Sequence, residues 1–163
     1  MSVTLPDVSD VSASPEEPYV AVLLASEGRP IPDAAIRRVT ELAAPGAIVH
    51  VLSIARVHGV SFGFPNPGLL PTKSEWKEQR DLVARAVKRL RKQGFEAEGR
   101  VVGTRKAGKR IRQEAEHSGC QAIVMAADPD RGRVTGDLLW SQEPQRVRRR
   151  AKLPVYLVLE EPG

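Results

Sequence analysis

A chain of 163 residues, 41% hydrophobic and 28% charged, has the size and composition of one soluble domain with a single sizeable core. No apolar run approaches the ~20 residues of a membrane helix, the N-terminus lacks the basic start and apolar core of a signal peptide, and the lone Cys120 excludes an internal disulfide. The net charge of +5 favours encounters with anions without naming one, and the cytoplasm is the expected compartment.

Residues 1–18 are rich in Ser, Pro and acid, with few large apolar groups to offset the entropy of ordering, and read as a tail. The folded unit is expected from 19 to 159, with a short second tail at 160–163. Tyr19-Val-Ala-Val-Leu-Leu24 is a continuous apolar run, as in a strand buried on both faces. Pro30 and Pro32 favour a helix start. Ile31, Ala35, Val39 and Leu42 recur at helical spacing, and Pro45-Gly46 is expected to end that helix. Ala47 to Ala55 predicts a second strand.

Residues 56–72 carry three prolines and three glycines and predict a long loop of functional or mobile character. Ser74 is the expected cap of the next helix, which places Trp76, Val83, Ala86, Val87 and Leu90 on one side and many Arg and Lys on the other. Gly94 closes it. Phe95 to Val102 predicts a third strand whose polarity suits a sheet edge. Ala107, Ile111, Ala115 and Ser118 mark a third helix ended by Gly119. Ala122-Ile-Val-Met125 is the fourth strand. Trp140, Pro144, Val147 and Ala151 form the buried stripe of a last helix, and Val155 to Leu159 closes the sheet. Strands alternating with helices imply a parallel sheet with crossover connections.

Several motifs invite a chemical reading. Gly103-Thr-Arg-Lys-Ala-Gly108-Lys109-Arg110 matches seven positions of a phosphate loop, but Arg110 stands where a hydroxyl must hold magnesium. Ala107 also begins the buried stripe of a helix, which favours helix geometry there. No dinucleotide fingerprint follows any strand. His50, His58 and His117 have no partners at metal spacing, so structural or solvated roles are expected. Cys120 opens an apolar run and reads as a buried, inert thiol. Two basic clusters stand out, one from Arg105 to Arg112 and one from Arg146 to Lys152. Both lie on polar faces of amphipathic helices, and aromatic residues total only 4%. Nucleic acid is therefore not an expected partner.

Three segments, taken in order, resemble the universal stress protein family: Gly46-Ala-Ile-Val-His-Val-Leu52; Gly103 through Ala127; and Arg146-Val147 through Ala151-Lys-Leu-Pro-Val155. The resemblance spans roughly residues 19–159. It implies a doubly wound α/β fold of the adenine-nucleotide alpha-hydrolase kind, with a five-stranded parallel sheet of order 3-2-1-4-5 flanked by helices, usually dimeric. ATP-binding members carry Gly-x2-Gly-x9-Gly-[Ser/Thr] after the fourth strand, where small residues let backbone amides close on phosphates. Here the first glycine position is Ala126, the second falls on Pro129 or Arg131 with Gly132 nearby, the third is Ser141 and the hydroxyl position is Gln142. The acidic residue that ends the first strand in ATP binders has Ala25 as its nearest match.

These departures argue against tight ATP binding, and no cofactor is expected, although ATP or AMP would fit the fold. A bound nucleotide is expected to meet Ala25 and Ser26, Ile54 beside the base, and Ala126, Arg131, Gly132, Ser141 and Gln142 around the phosphates, in the crevice at the carboxyl ends of the first and fourth strands. No nucleophile, base and orienting group assemble from the sequence, so a non-enzyme is expected. The leading expectation is a stress or regulatory protein that dimerises through its closing strand, at Val155, Leu157 and Leu159, and binds an unidentified protein partner. The alternatives are a nucleotide-binding sensor and a basic protein associated with nucleic acid.

Overall fold

The computed structural model describes residues 15–56, 60–61, 64–65, 72–127 and 143–159. The elements run β1 (Tyr19–Ser26), α1 (Asp33–Leu42), β2 (Ala43–Arg56), β3 (Val60–Ser61), β4 (Phe64–Pro65), α2 (Lys73–Lys92), β5 (Glu96–Thr104), α3 (Ala107–His117), β6 (Ala122–Ala127), α4 (Glu143–Arg150) and β7 (Val155–Leu159). Five strands form one sheet in the order β5-β2-β1-β6-β7, and every pairing in it is parallel. That is the expected order 3-2-1-4-5. The two apolar runs, β1 and β6, lie in the interior of the sheet, and β6 is buried at every residue.

Alternation along the strands divides the core between two faces. Val22, Leu24, Val49, Val51 and Val124 pack with Ala35, Val39, Val83 and Leu90, so α1 and α2 cover one face. Leu23, Ala25, Leu52, Ile54 and Met125 pack with Ala107, Ile111, Ala115 and Val147, so α3 and α4 cover the other. Both layers are needed because strands buried on two faces have no polar side to offer water.

Three local expectations are corrected. Pro45-Gly46 does not end α1, which stops at Leu42. The chain passes directly into β2 at Ala43, and the pairing with β1 jumps from Tyr19↔Ala43 to Ala21↔Ile48. Three extra residues are thus accommodated in β2 as an irregularity around Pro45 and Gly46, the latter at φ 75. A proline without an amide donor and a glycine in the left-handed region suit that bend. Second, the cap of α2 is Thr72, whose hydroxyl accepts from the Glu75 amide at 3.1 Å; Ser74 lies inside the helix. Third, β6 continues two residues beyond Met125, to Ala127. Within the expected 56–72 loop, Val60–Ser61 pairs antiparallel with Phe64–Pro65; residues 57–59, 62–63 and 66–71, like Trp140, lie outside the described residues.

The third strand, β5, pairs among the described residues only with β2 and forms a sheet edge, as its polarity suggests. Glu96, Glu98 and Arg100 are exposed along it, the charged composition that discourages pairing with another strand. Its other face carries Gly99 and Gly103. A Cβ on Gly99 would come 2.2 Å from Val83 Cγ1, and one on Gly103 would come 3.1 Å from Trp76 Cζ2. The two glycines therefore set how closely α2 approaches the edge of the sheet.

Candidate functional site

Because β1 feeds a helix on one face and β6 precedes a helix on the other, the connections diverge at their carboxyl ends and leave the crevice typical of such sheets. Ala25 pairs with Leu52 on one side and Met125 on the other, and Ser26 pairs with Ser53. The bottom of the crevice is therefore built from the last residues of β1, β2 and β6. Ala25, Ser26, Ile54 and Ala126, all expected near a ligand, are brought together there and all are buried. Ile54 packs in the core with Leu23, Leu52 and Ile111. Arg131, Gly132, Ser141 and Gln142 lie outside the described residues.

The turn after β1 supplies polar groups of which sequence reasoning singled out Ser26 alone. Ser26 donates its hydroxyl to the Arg29 carbonyl at 2.5 Å and accepts from the Gly28 amide at 3.2 Å. Gly28 sits at φ 114, open to glycine and strained for other residues. Glu27 is fully buried and its Oε1 lies 2.7 Å from Nε of Arg29, itself 9% exposed. A second strut reaches the turn from α2. Gln79 donates Nε2 to the Gly28 carbonyl at 3.0 Å, while its Oε1 accepts from the Ser53 hydroxyl at 2.5 Å.

A carboxylate thus stands two residues beyond Ala25, within an ion pair. The local signal was present in the sequence as Ser26-Glu-Gly-Arg29, opposite charges flanking a glycine directly after an apolar strand. Nothing in the sequence linked that turn to Gln79, which lies 51 residues from Gly28 along the chain.

The remaining candidates take structural positions. Gly103-Thr104 ends β5 and α3 begins at Ala107, which is buried, so only two residues separate strand from helix. A strand-to-helix step this short gives no loop to wrap a phosphate. His50 Nδ1 lies 3.4 Å from Glu98 across the β2–β5 pairing. It borders a cavity of about 200 Å³ that also meets Arg100, Glu114 and His117. Glu114, buried on α3, accepts from Arg100 Nη1 at 3.1 Å and pairs with Arg110 Nη2 at 3.4 Å. Among the described residues no three His, Cys, Asp or Glu gather as a metal site. Cys120 is buried, and burial, followed by the negative charge of Glu114, pushes its thiol up to about 11. It stays protonated and unreactive near neutrality.

At the opposite edge, Val155 and Leu157 of β7 turn into the core beneath α3 and α4. Leu159 is 52% exposed. Among the described residues β7 pairs with β6 alone, so its outer backbone edge has no strand partner among them. No described helix is long and apolar enough to cross a membrane.

Residues 18–158 match the model of the Universal stress protein family. The fold is shared with a universal stress protein family structure from Burkholderia pseudomallei, at 22% identity and a TM-score of 0.61, covering 88% of this chain and 98% of that one. It is shared with the universal stress protein from Archaeoglobus fulgidus in complex with dAMP, at 18% identity and a TM-score of 0.58, covering 85% and 97%. A universal stress protein in complex with cAMP matches at 19% identity and a TM-score of 0.59, covering 88% and 98%. No curated protein sequence matches the chain significantly.

Proposed function

The chain belongs to the universal stress protein family, and from that premise we propose that it is a non-catalytic stress-response regulator, working as a dimer through protein contacts and without tight ATP binding. The observation that carries this reading is the contrast between the two edges of the sheet. β5 displays Glu96, Glu98 and Arg100, whereas β7 is an uncharged Val-Tyr-Leu-Val-Leu strand with Leu159 exposed. An uncharged edge accepts a second strand where a charged one repels it. A two-fold pairing of β7 with its twin would join two sheets into one and cover Leu159.

Among the described residues, the crevice supports a non-catalytic reading. The Ser26 hydroxyl donates to a carbonyl of its own turn and the Ser53 hydroxyl to Gln79, so neither is held against a base. Mass measurement in solution tests the dimer. The wild-type protein is expected at twice the chain mass, and Leu159→Asp at the monomer mass with its fold retained, because the position is exposed. A wild-type monomer at micromolar concentration would overturn the reading.

A second reading, a nucleotide-binding sensor of AMP or cyclic AMP, is favoured by the dAMP and cAMP complexes of two proteins with the same fold. Thermal unfolding with ATP, AMP and cyclic AMP, each with magnesium, separates the two. A ligand at about 100 times its dissociation constant stabilises by about 2.7 kcal/mol, or about 5 to 10 °C for a domain of this size. Such a shift would establish the sensor, whereas unchanged midpoints are expected of the protein-binding regulator.

A further inference from the structure

The sequence presents two basic clusters separated by more than thirty residues, and the fold removes that separation. α3 and α4 pack against one another on the same face of the sheet. Their apolar stripes, Ala107, Ile111, Ala115 and Val147, turn inward, so their polar faces form one outer surface. From α3 and its entry this surface receives exposed Arg105, Lys106 and Lys109. From α4 and its exit it receives exposed Arg146, Arg149, Arg150 and Lys152. The opposing exposed acid on these segments, among the described side chains, is Glu116; Glu114 is buried and paired with Arg100 and Arg110.

The concentration of charge is large. Residues 105–118 and 143–152 hold ten of the 25 Lys and Arg but three of the 20 Asp and Glu, a net of +7 that exceeds the +5 of the whole chain. The rest of the molecule is net acidic. Both helices run antiparallel to the strands they follow and precede, which places the α3 cations toward the carboxyl edge of the sheet and the last α4 cations toward the amino edge. The charge therefore crosses the face obliquely as a band.

We propose that this α3–α4 face binds the phosphate backbone of a nucleic-acid duplex without reading its sequence. Charge complementarity points to a polyanion, and the composition of the face selects among polyanions. Four of the seven exposed cations are arginines, whose planar guanidinium pairs with phosphate oxygens in a two-pronged fashion. The large exposed apolar residues among those described are Val20, Ile48 and Leu159, none of them on these helices, so α3 and α4 themselves offer no large apolar side chain to a bilayer. Neither α3 nor α4 contains Phe, Tyr or Trp, and His117 is the one ring on them, so the successive stacking platforms of a single-strand binder are lacking and a duplex is favoured. A double-stranded backbone needs neither feature.

Fluorescence anisotropy with a labelled duplex of mixed sequence, about 20 base pairs long, tests the proposal. If the face neutralises about five phosphates, the logarithm of affinity falls with that of salt at a slope of about −4.5, a loss of about 500-fold between about 50 and about 200 mM. The triple variant Arg149→Glu, Arg150→Glu, Lys152→Glu is expected to flatten that slope by about 2.7, since each phosphate left without its cation removes about 0.9. Lys77→Glu, Lys88→Glu and Lys92→Glu change the net charge equally on exposed positions of α2, on the other face of the sheet, and are expected to leave the slope in place. Equal losses from both triples would reduce the effect to overall charge and overturn the assignment. So would salt-insensitive or absent duplex binding. Preferential binding to vesicles of phosphatidylserine and phosphatidylcholine, at matched anionic charge, would overturn it in favour of a membrane surface. All six positions are exposed, and the single Arg149→Glu repeats the test at about one third of the effect should a triple variant melt early.

Discussion

Alanine at Gly99 would set its Cβ 2.2 Å from Val83 Cγ1 and 3.0 Å from Val87 Cγ2. Valine is stiff about χ1 and cannot swing aside cheaply, so Gly99→Ala is expected to destabilise by about 1–3 kcal/mol in chemical denaturation. Adding Val83→Ala should recover part of that loss, because residues in contact couple. The Tyr19 hydroxyl shares a 2.7 Å hydrogen bond with that of Tyr156, and the rings meet edge to face at 6.0 Å. Burial, then this hydrogen bond, raises the Tyr19 pKa well above its ordinary value. The folded protein therefore holds this proton more tightly than the unfolded chain. Stability is expected to be unaffected by Tyr19 ionisation below about pH 10 and to fall as pH rises beyond it. In Tyr19→Phe, alkaline denaturation should be shallower; an unchanged profile would show that other groups govern it. Of these residue-scale features, the sequence disclosed Cys120, whose setting is local, and concealed Gly99, whose neighbours arrive from a helix 12 to 16 residues earlier.

Helix and strand ends follow the same division. Periodicity located every described helix, because the inward stripe of each repeats within a few residues. Ends were missed where two signals compete. Thr72 and Ser74 are both good caps, and the structure selects Thr72, whose hydroxyl accepts from the Glu75 amide. Thr72→Ala is expected to cost about 1 kcal/mol, with Ser74→Ala close to neutral, both read from denaturant midpoints. Pro45-Gly46 is a terminator in sequence terms, yet β1 offers pairing partners to Ala43 and again to Ile48, and that pairing draws the segment into β2. The polarity of the third strand did convey its edge position, since a strand with one neighbour leaves charged residues a route to water. The same reasoning bears on β7, whose short uncharged run says strand but does not say that Val155 and Leu157 are occupied by the chain's own core.

At the scale of the molecule, alternating strands and helices made the parallel α/β class readable, while the strand order came with the family resemblance carried by residues 46–52, 103–127 and 146–155. The meeting of the strand ends was legible, but not the groups that surround it. Ala25, Ser26, Ile54 and Ala126 do converge, yet the groups that occupy the turn, Glu27, Arg29, Ser53 and Gln79, are assembled by contacts between β1, β2 and α2. The joining of two basic clusters into one face likewise depends on helix packing that no local pattern encodes.

The position of β1 in the sheet has a bearing on the order in which structure forms. Its partner β2 follows within the next thirty residues, whereas β6, on its other side, begins a hundred residues later. Closing the shorter loop first costs less chain entropy, so a half-sheet of β5, β2 and β1 with α1 and α2 can condense while the other flank of β1 is still unpaired. Pulse-labelled hydrogen exchange during refolding should find amides of β2 and β5 protected before those of β6 and β7. During synthesis the same sequence of events would expose the apolar flank of β1 until Ala127 leaves the ribosome, an interval in which a chaperone, or another nascent chain, would find a ready strand to grip.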